Sequence, residues 1–179
     1  GEEWIHEAAS ETYIPLLKTL FDLKSEGLDF KLTIGITPVL AEQLSDETVL
    51  DNLDNFLEEK IQAAQRDIYL FEPDNVTPIE GIQEDDRAMN SLVTESTQRS
   101  EELADPHLHY LAGWYKTYYE TTRDLFNNEL NRDIVGAFRQ LQDAGYIEIM
   151  TSAATHGYLP FLSKDSSIRG QIQTALRSH

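Results

Sequence analysis

Two short stretches of this chain read as strands, and a long helical region separates them. In the first, Phe30, Leu32, Ile34 and Ile36 alternate with Lys31, Thr33, Gly35 and Thr37. The second covers residues 146–151. A period of two is the mark of a strand. Strands joined through helices pair in parallel, which predicts an α/β architecture. Two parallel strands do not make a stable sheet covered on both faces. The pattern therefore reads as a partial, helix-rich portion of a larger barrel or doubly wound domain.

The helical segments announce their own ends. Ile5, Ala8, Ala9 and Thr12 are assigned to one face of the first helix, continued by Leu16, Leu17, Leu20 and Leu23. Pro15 lies inside this run and lacks the amide a helix interior uses, so a kink or a fresh helix start is expected there. Gly27 follows as a left-handed terminator. Thr37-Pro38 reads as N-cap and first residue of a short helix through Leu44. The segment Ser45-Asp46-Glu47 opens a longer helix with Val49, Leu53, Phe56, Leu57, Ile61, Ala64 and Ile68 inward. Asp105-Pro106 opens another, whose apolar residues are Leu108, Leu111, Tyr115, Tyr118, Tyr119, Leu125 and Phe126. A helix over residues 133–144 carries Ile134, Phe138 and Leu141 inward and ends at Gly145. Ser163 or Asp165 caps a last helix through Ile168, Ile172 and Leu176. Between about 72 and 104, Pro73, Pro78, Gly81 and the run Glu84-Asp85-Asp86 break the periodicity. That stretch reads as a polar, acidic insertion, with at most one helical turn near 89–93.

Charge narrows the partners. The 179 residues hold 32 acids and 14 bases, a formal charge of −18. Such a surface repels phosphate backbones and anionic membranes, which argues against nucleic acid and against membrane binding. A neutral sugar is indifferent to the field. No run of apolar residues is long enough for a membrane span. The first residues show no signal-peptide pattern, and a start at Gly1 suggests missing or removed upstream sequence. Cysteine is absent, which excludes disulfides, thiolate metal sites and a cysteine nucleophile and fits a cytoplasmic location. The single Asn75-Val76-Thr77 triplet is weak evidence for secretion.

Most candidate constellations fail on spacing. Gly35-Ile36-Thr37 follows a strand, but no further glycine completes a dinucleotide loop. His6-Glu7 resembles the opening of a zinc-protease helix, yet the residue that would be the second ligand is Ser10. No metal or cofactor is implied. His107 and His109 do not share a face on a helix and read as unrelated histidines. Trp114, Tyr115, Tyr118 and Tyr119 have the spacing of a sugar-stacking platform, but helical spacing favours core packing. The pairs Glu58-Glu59, Asp85-Asp86 and Glu101-Glu102 point in different directions on a helix and are solvated faces. The segment 153–158 lies just past the C-terminal end of a predicted strand, where parallel α/β folds bind ligands. Gly157 allows close backbone approach. His156 can hydrogen-bond a sugar hydroxyl, or simply be satisfied by nearby backbone; spacing leaves both readings open.

Residues 147–160, reading IEIMTSAATHGYLP, closely resemble the second conserved region of the branching-enzyme-like group of glycoside hydrolase family 57. Residues 133–142 (DIVGAFRQLQ) resemble the helix that enters it. Residues 2–17 (EEWIHEAASETYIPLL) resemble the segment after the family's first conserved region, and residues 34–40 (IGITPVL) its next strand and loop. The resemblance implies the N-terminal part of a distorted (β/α)7 barrel. It also implies retaining chemistry on an α-glucan such as amylose or glycogen, by a glutamate nucleophile and an aspartate acid/base. In branching, a glucan 6-hydroxyl captures the glycosyl-enzyme and an α-1,4 link becomes an α-1,6 branch. The family's His-x-Pro strand end would precede Gly1, and both catalytic carboxylates would lie beyond His179. This chain is then expected to carry no catalytic residue, to be inactive alone, and to partner the remainder of its own domain. His156 is implied as a wall of the donor sugar subsite, with Tyr158 as its neighbour. A family 57 α-amylase-like hydrolase and a non-catalytic carbohydrate-binding module are the alternatives.

Overall fold

The computed structural model describes residues 2–72 and 105–178. The acidic stretch, the helical turn expected near 89–93 and the Asn75 triplet lie almost wholly outside these residues. The chain divides into two compact units, residues 1–56 with 122–179 and residues 57–121.

The first unit begins with α1 (Glu2–Ala8), a π-helical turn (Ala9–Tyr13) and α2 (Ile14–Ser25). Pro15 sits in the first turn of α2, so the expected fresh start is what forms. The missing proline amide is absorbed by the wider turn before it, closed by the Ile14 amide donating to Ala9 O. A π turn adds a residue and rotates the face that follows. This corrects one sequence assignment: Thr12 is exposed, whereas His6, Ala9, Ser10, Ile14, Leu17 and Leu20 are buried. At the end of α2, Gly27 has φ +75°. Its amide donates to Lys24 O, and that of Leu28 donates to Leu23 O, closing a Schellman cap.

Strand β1 (Leu32–Gly35) follows, then α3 (Pro38–Gln43), whose N-cap Thr37 accepts a hydrogen bond from the Leu40 amide at 3.3 Å. Helix α4 (Glu47–Leu70) is capped by Asp46, which accepts from the Thr48 and Val49 amides at 2.9 and 3.1 Å. All seven residues assigned to its inner face are buried or half-buried. Helix α5 (Pro106–Asp124) is capped by Asp105 and runs into a second π turn (Leu125–Glu129). Asn131 and Arg132 then take left-handed φ values of 49° and 62°. Within the first unit Arg123 holds Asp54 through two contacts of 2.8 and 3.0 Å, and Asn127 adds a third at 2.7 Å. The hydrogen-bonded guanidinium keeps the Asp54 carboxyl below its usual range against an opposing effect of burial.

Helix α6 (Ile134–Asp143) starts at Asp133, which accepts from the Gly136 amide. Ile134, Phe138 and Leu141 are buried as expected. Gly145, at φ +76°, repeats the cap of Gly27: its amide donates to Gln142 O and that of Tyr146 to Leu141 O. Strand β2 (Ile147–Met150) pairs with β1 in parallel, Leu32 opposite Ile147 and Gly35 opposite Met150. Residues 146 and 150 turn their carbonyls to β1. Alternation in the ladder then sends the Ile149 amide to the opposite edge, where the Gln142 side chain accepts it at 2.9 Å.

Among the described residues the sheet is covered on one side only. Ile147 is buried and Ile34 and Ile149 half-buried, whereas Thr33, Gly35, Glu148 and Met150 on the other face are exposed. The last helix, α7 (Asp165–Ser178), departs from expectation twice. Lys164 occupies its N-cap position, its carbonyl accepting from the Ile168 amide. Its inward residues are Ile168, Gln171, Ala175 and Ser178, so the expected apolar series turns inward only at Ile168. Gln171 and Ser178 hydrogen-bond the body of the unit, and Ile172 and Leu176 are left exposed.

In the second unit, the end of α4 and the start of α5 form a helical pair. Ala64 and Ala112 are buried, and His109 Nδ1 donates to Ile68 O at 3.1 Å. Of the aromatic cluster expected in the core, Trp114 and Tyr115 are exposed and Tyr118 and Tyr119 are half-buried. Trp114 is 50% exposed, stacks on Tyr118 with centroids 5.3 Å apart and meets Tyr115 edge-on at 5.0 Å. Leu108 is exposed as well. Small residues, Ala64 and Ala112, take the buried positions, which leaves the large rings to pack on one another.

Candidate functional site

The two strands end at the same level, and the chain leaves both of them irregularly. After β1 it turns directly into α3. After β2 it forms the loop 151–158 and a 3₁₀ turn (Leu159–Phe161) that the sequence did not announce. The two exits are tied together: the Ile36 amide donates to Met150 O at 3.0 Å and the Val39 amide to Ala154 O at 3.1 Å. Both segments therefore sit at the C-terminal edge of the sheet, the edge at which parallel α/β folds bind ligands.

The loop is held from below by α7. The Ala154 amide donates to Gln171 O, the Thr155 amide to Gln171 Oε1, and Gln171 Nε2 to Thr155 Oγ1, at 3.2, 2.9 and 2.9 Å. Ala154 itself is buried. Gln171 thus fixes three polar groups of a loop sixteen positions earlier. No local pattern in the sequence marks it, because its partners come into reach only when α7 folds back.

His156 is exposed and has φ 56°, left-handed for a residue with a side chain. Its amide donates to Ala153 O at 2.8 Å, so the tight turn is hydrogen-bonded. The ring Nδ1 lies 3.3 Å from Ser152 Oγ. That hydroxyl already donates to Ala153 O at 3.0 Å, so it accepts from Nδ1–H. In the neutral ring this leaves Nε2 as an acceptor facing water. Left-handed backbone at an exposed, non-glycine residue is a conformation the surroundings must enforce. Here the Gln171 anchor and the Ala153 bond do so.

Tyr158 is 66% exposed, and its ring meets the edge of Phe161 at 4.8 Å and 73°. Phe161 is 85% exposed. The two predicted residues, His156 and Tyr158, thus share one loop and both face solvent. No contact joins them among the described interactions. A small cavity of about 80 Å³ under the covered face of the sheet is lined by Ile36, Thr151 and Arg139 among others, and by neither His156 nor Tyr158. Among the described residues no cluster of histidine and carboxylate side chains is placed to hold a metal. No described helix is long and apolar enough to cross a membrane.

A parallel pair of strands, helices on one side and a hydrogen-bonded histidine loop at the C-terminal edge define a piece of an α/β scaffold. The chain belongs to glycosyl hydrolase family 57, whose family model matches residues 1–177. Over all 179 residues it is 35% identical to the 1,4-alpha-glucan branching enzyme TK1436 of Thermococcus kodakarensis. The crystal structure of a GH57-type branching enzyme from Pyrococcus horikoshii superposes with a TM-score of 0.78 at 33% identity, over 99% of this chain. That of the alpha-amylase AmyC from Thermotoga maritima does so with a TM-score of 0.71 at 28% identity, again over 99% of this chain. The chain spans only 21% of the Thermococcus protein, and 27% and 28% of the two crystallised chains.

Proposed function

We propose that this chain is an incomplete, N-terminal part of the catalytic domain of a retaining 1,4-α-glucan branching enzyme, acting in the cytoplasm on an amylose- or glycogen-like substrate. The observation that carries the reading is a match over the whole chain to a branching enzyme of which it spans 21%. The fold gives physical support. One face of the sheet and the Ile172–Leu176 side of α7 are bare, with Met150 60% and Leu176 69% exposed. The bare sheet face is otherwise Thr33, Gly35 and Glu148, so the apolar surface that calls for a cover is Met150 together with Ile172 and Leu176. In the proposed domain, further strands and helices complete a distorted (β/α)7 barrel and cover it.

In this reading His156 and Tyr158 form a wall of the donor sugar subsite. The acceptor nitrogen Nε2 of His156 takes a hydrogen bond from a sugar hydroxyl, and the exposed ring of Tyr158 stands beside it. Polypeptide beyond His179 supplies the nucleophile and the acid/base. A glutamate carboxylate attacks the anomeric carbon while an aspartic acid protonates the departing glycosidic oxygen. A glucan 6-hydroxyl then displaces the glutamate, giving its proton to the aspartate, and an α-1,6 link replaces an α-1,4 link. The chain alone has neither group and turns nothing over.

The test is branching of amylose by the protein that contains this chain with its continuation on both sides. An increase in α-1,6 linkages is expected, and none would remove the branching claim. Turnover by residues 1–179 alone would contradict the placement of the carboxylates. Likeness to AmyC favours a second reading, an α-amylase-like hydrolase of the same family. Reducing-end release without new branches selects that reading.

A further inference from the structure

Away from the sheet edge, the first unit holds a cavity of about 190 Å³ between α2, the π turn after α5, and α6. Its floor is apolar: Ile14, Leu125 and Ala137 are buried. Its rim is polar. Lys18, whose ammonium is 2.6 Å from Asp22, stands on one side, with Glu129, Asn131 and Gln140 on the others. The two backbone irregularities of the unit meet here. Ile14 closes the first π turn, and the second π turn ends at Glu129, two residues before left-handed Asn131. π turns and strained backbone recur at functional sites because they place side chains where a regular helix cannot.

We propose that this cavity binds a single neutral sugar ring, as a second carbohydrate site separate from the loop of His156. The rim carries one ammonium and two carboxylates, so its net charge of about −1 disfavours phosphates and other anions. Its carboxylates fall short of the cluster a divalent cation needs. The lining combines donors on Lys18, Asn131 and Gln140 with the carboxylate acceptor of Glu129, the Asp22 carboxylate being held by Lys18, which suits hydroxyls that both give and take a hydrogen bond. Phe21 adds an aromatic side chain to the lining, the residue type that packs on the C–H side of a pyranose. The volume holds about six waters at ~30 Å³ each. It is below the ~300–1,000 Å³ of sites for larger ligands, and one ring fills it. The choice of sugar rests on the glucan reading above, so the end residue of a glucan is the expected occupant.

The experiment is a residue-resolved NMR titration with maltose of selectively labelled protein that contains this chain with its continuation on both sides. Saturable shifts are expected at the amides of Lys18, Glu129 and Gln140. Glu129→Ala or Gln140→Ala, both at exposed positions, should weaken these shifts roughly tenfold, and Glu129→Gln by less. His156→Ala should leave them unchanged. Absence of shifts at this rim, shifts indifferent to both alanine variants, or the same shifts produced by Mg²⁺ in place of maltose would each overturn the site. Shifts confined to residues 155–158 overturn this site and leave the donor-subsite reading standing. Shifts confined to the rim do the reverse.

Discussion

The two ends of the short sheet are built on opposite terms. Where the strands begin, each is delivered by a helix, a left-handed glycine and an aromatic residue. Phe30 packs on Tyr146 with centroids 4.9 Å apart, and Lys24 and Lys31 lie over the Tyr146 ring at 5.8 and 5.5 Å. Lys31 also donates to Gly145 O at 2.8 Å. Every device there relieves strain or adds contact. Where the strands end, left-handed backbone falls on a histidine instead of a glycine, and two aromatic rings face solvent. One end holds the pair together, and the other keeps side chains in positions that cost stability. That division is the one α/β barrels use, with structure at the N-terminal face of the strands and chemistry at the C-terminal face.

The comparison can be broken by mutations graded in size. Ile147→Ala, in the buried first position of β2, should cost about 3 kcal/mol, read as a lower urea midpoint at an unchanged slope. A loss below about 1 kcal/mol would mean that the strand starts do not hold the sheet. Gly145→Ala forces a side chain into φ +76° and should cost about 1–2 kcal/mol. Equal stability would show that the Schellman cap is dispensable. At the other end, Gln171→Ala removes two hydrogen bonds to Thr155 and should cost about 1 kcal/mol, with faster amide exchange at Thr155 than at Ile34. Uniform exchange in the variant would mean that the loop has another anchor. His156→Gly is the smallest and the most telling. Relief of the left-handed strain should leave stability unchanged or raise it by up to about 1 kcal/mol. Maltooligosaccharide binding at the loop should weaken about tenfold. A clear loss of stability would place His156 among the structural residues and undo the contrast.

How much of this was legible follows the range of each interaction. The caps at Thr37 and Asp105, the terminators Gly27 and Gly145, and the restart at Pro15 are written within a few residues of where they act, so spacing revealed them. The inward face of α4 was equally plain, because one regular helix keeps one phase. Thr12 was misassigned because a π turn changes phase without a residue type to announce it. Ile172 and Leu176 were read as inward with Ile168, which alone of the three is half-buried, because periodicity shows which residues share a face, not which face finds a partner. In α7 the bonds of Gln171 and Ser178 decide that instead. In the aromatic run on α5 the expectation failed at Trp114 and Tyr115, not at half-buried Tyr118 and Tyr119: stacking on neighbours satisfies rings without burying them. At the candidate site, His156 and Tyr158 were found by motif, whereas Ser152 and Gln171, which orient and anchor the loop, gave no signal because their roles exist only in three dimensions.

The Gln142 side chain on the Ile149 amide has a consequence for how the sheet edge meets anything else. An unguarded row of amides invites copies of the same chain to line up in register and grow into aggregates. A glutamine seated there acts as a temporary lodger, so a newcomer must evict it before gaining that bond and is rewarded only if its side chains also fit the bare face of Thr33, Glu148 and Met150. Promiscuous stacking is thereby discouraged while a matched neighbour is still admitted. Gln142→Ala should accordingly sediment as larger species at rising concentration, and an unchanged monomer would retire the idea.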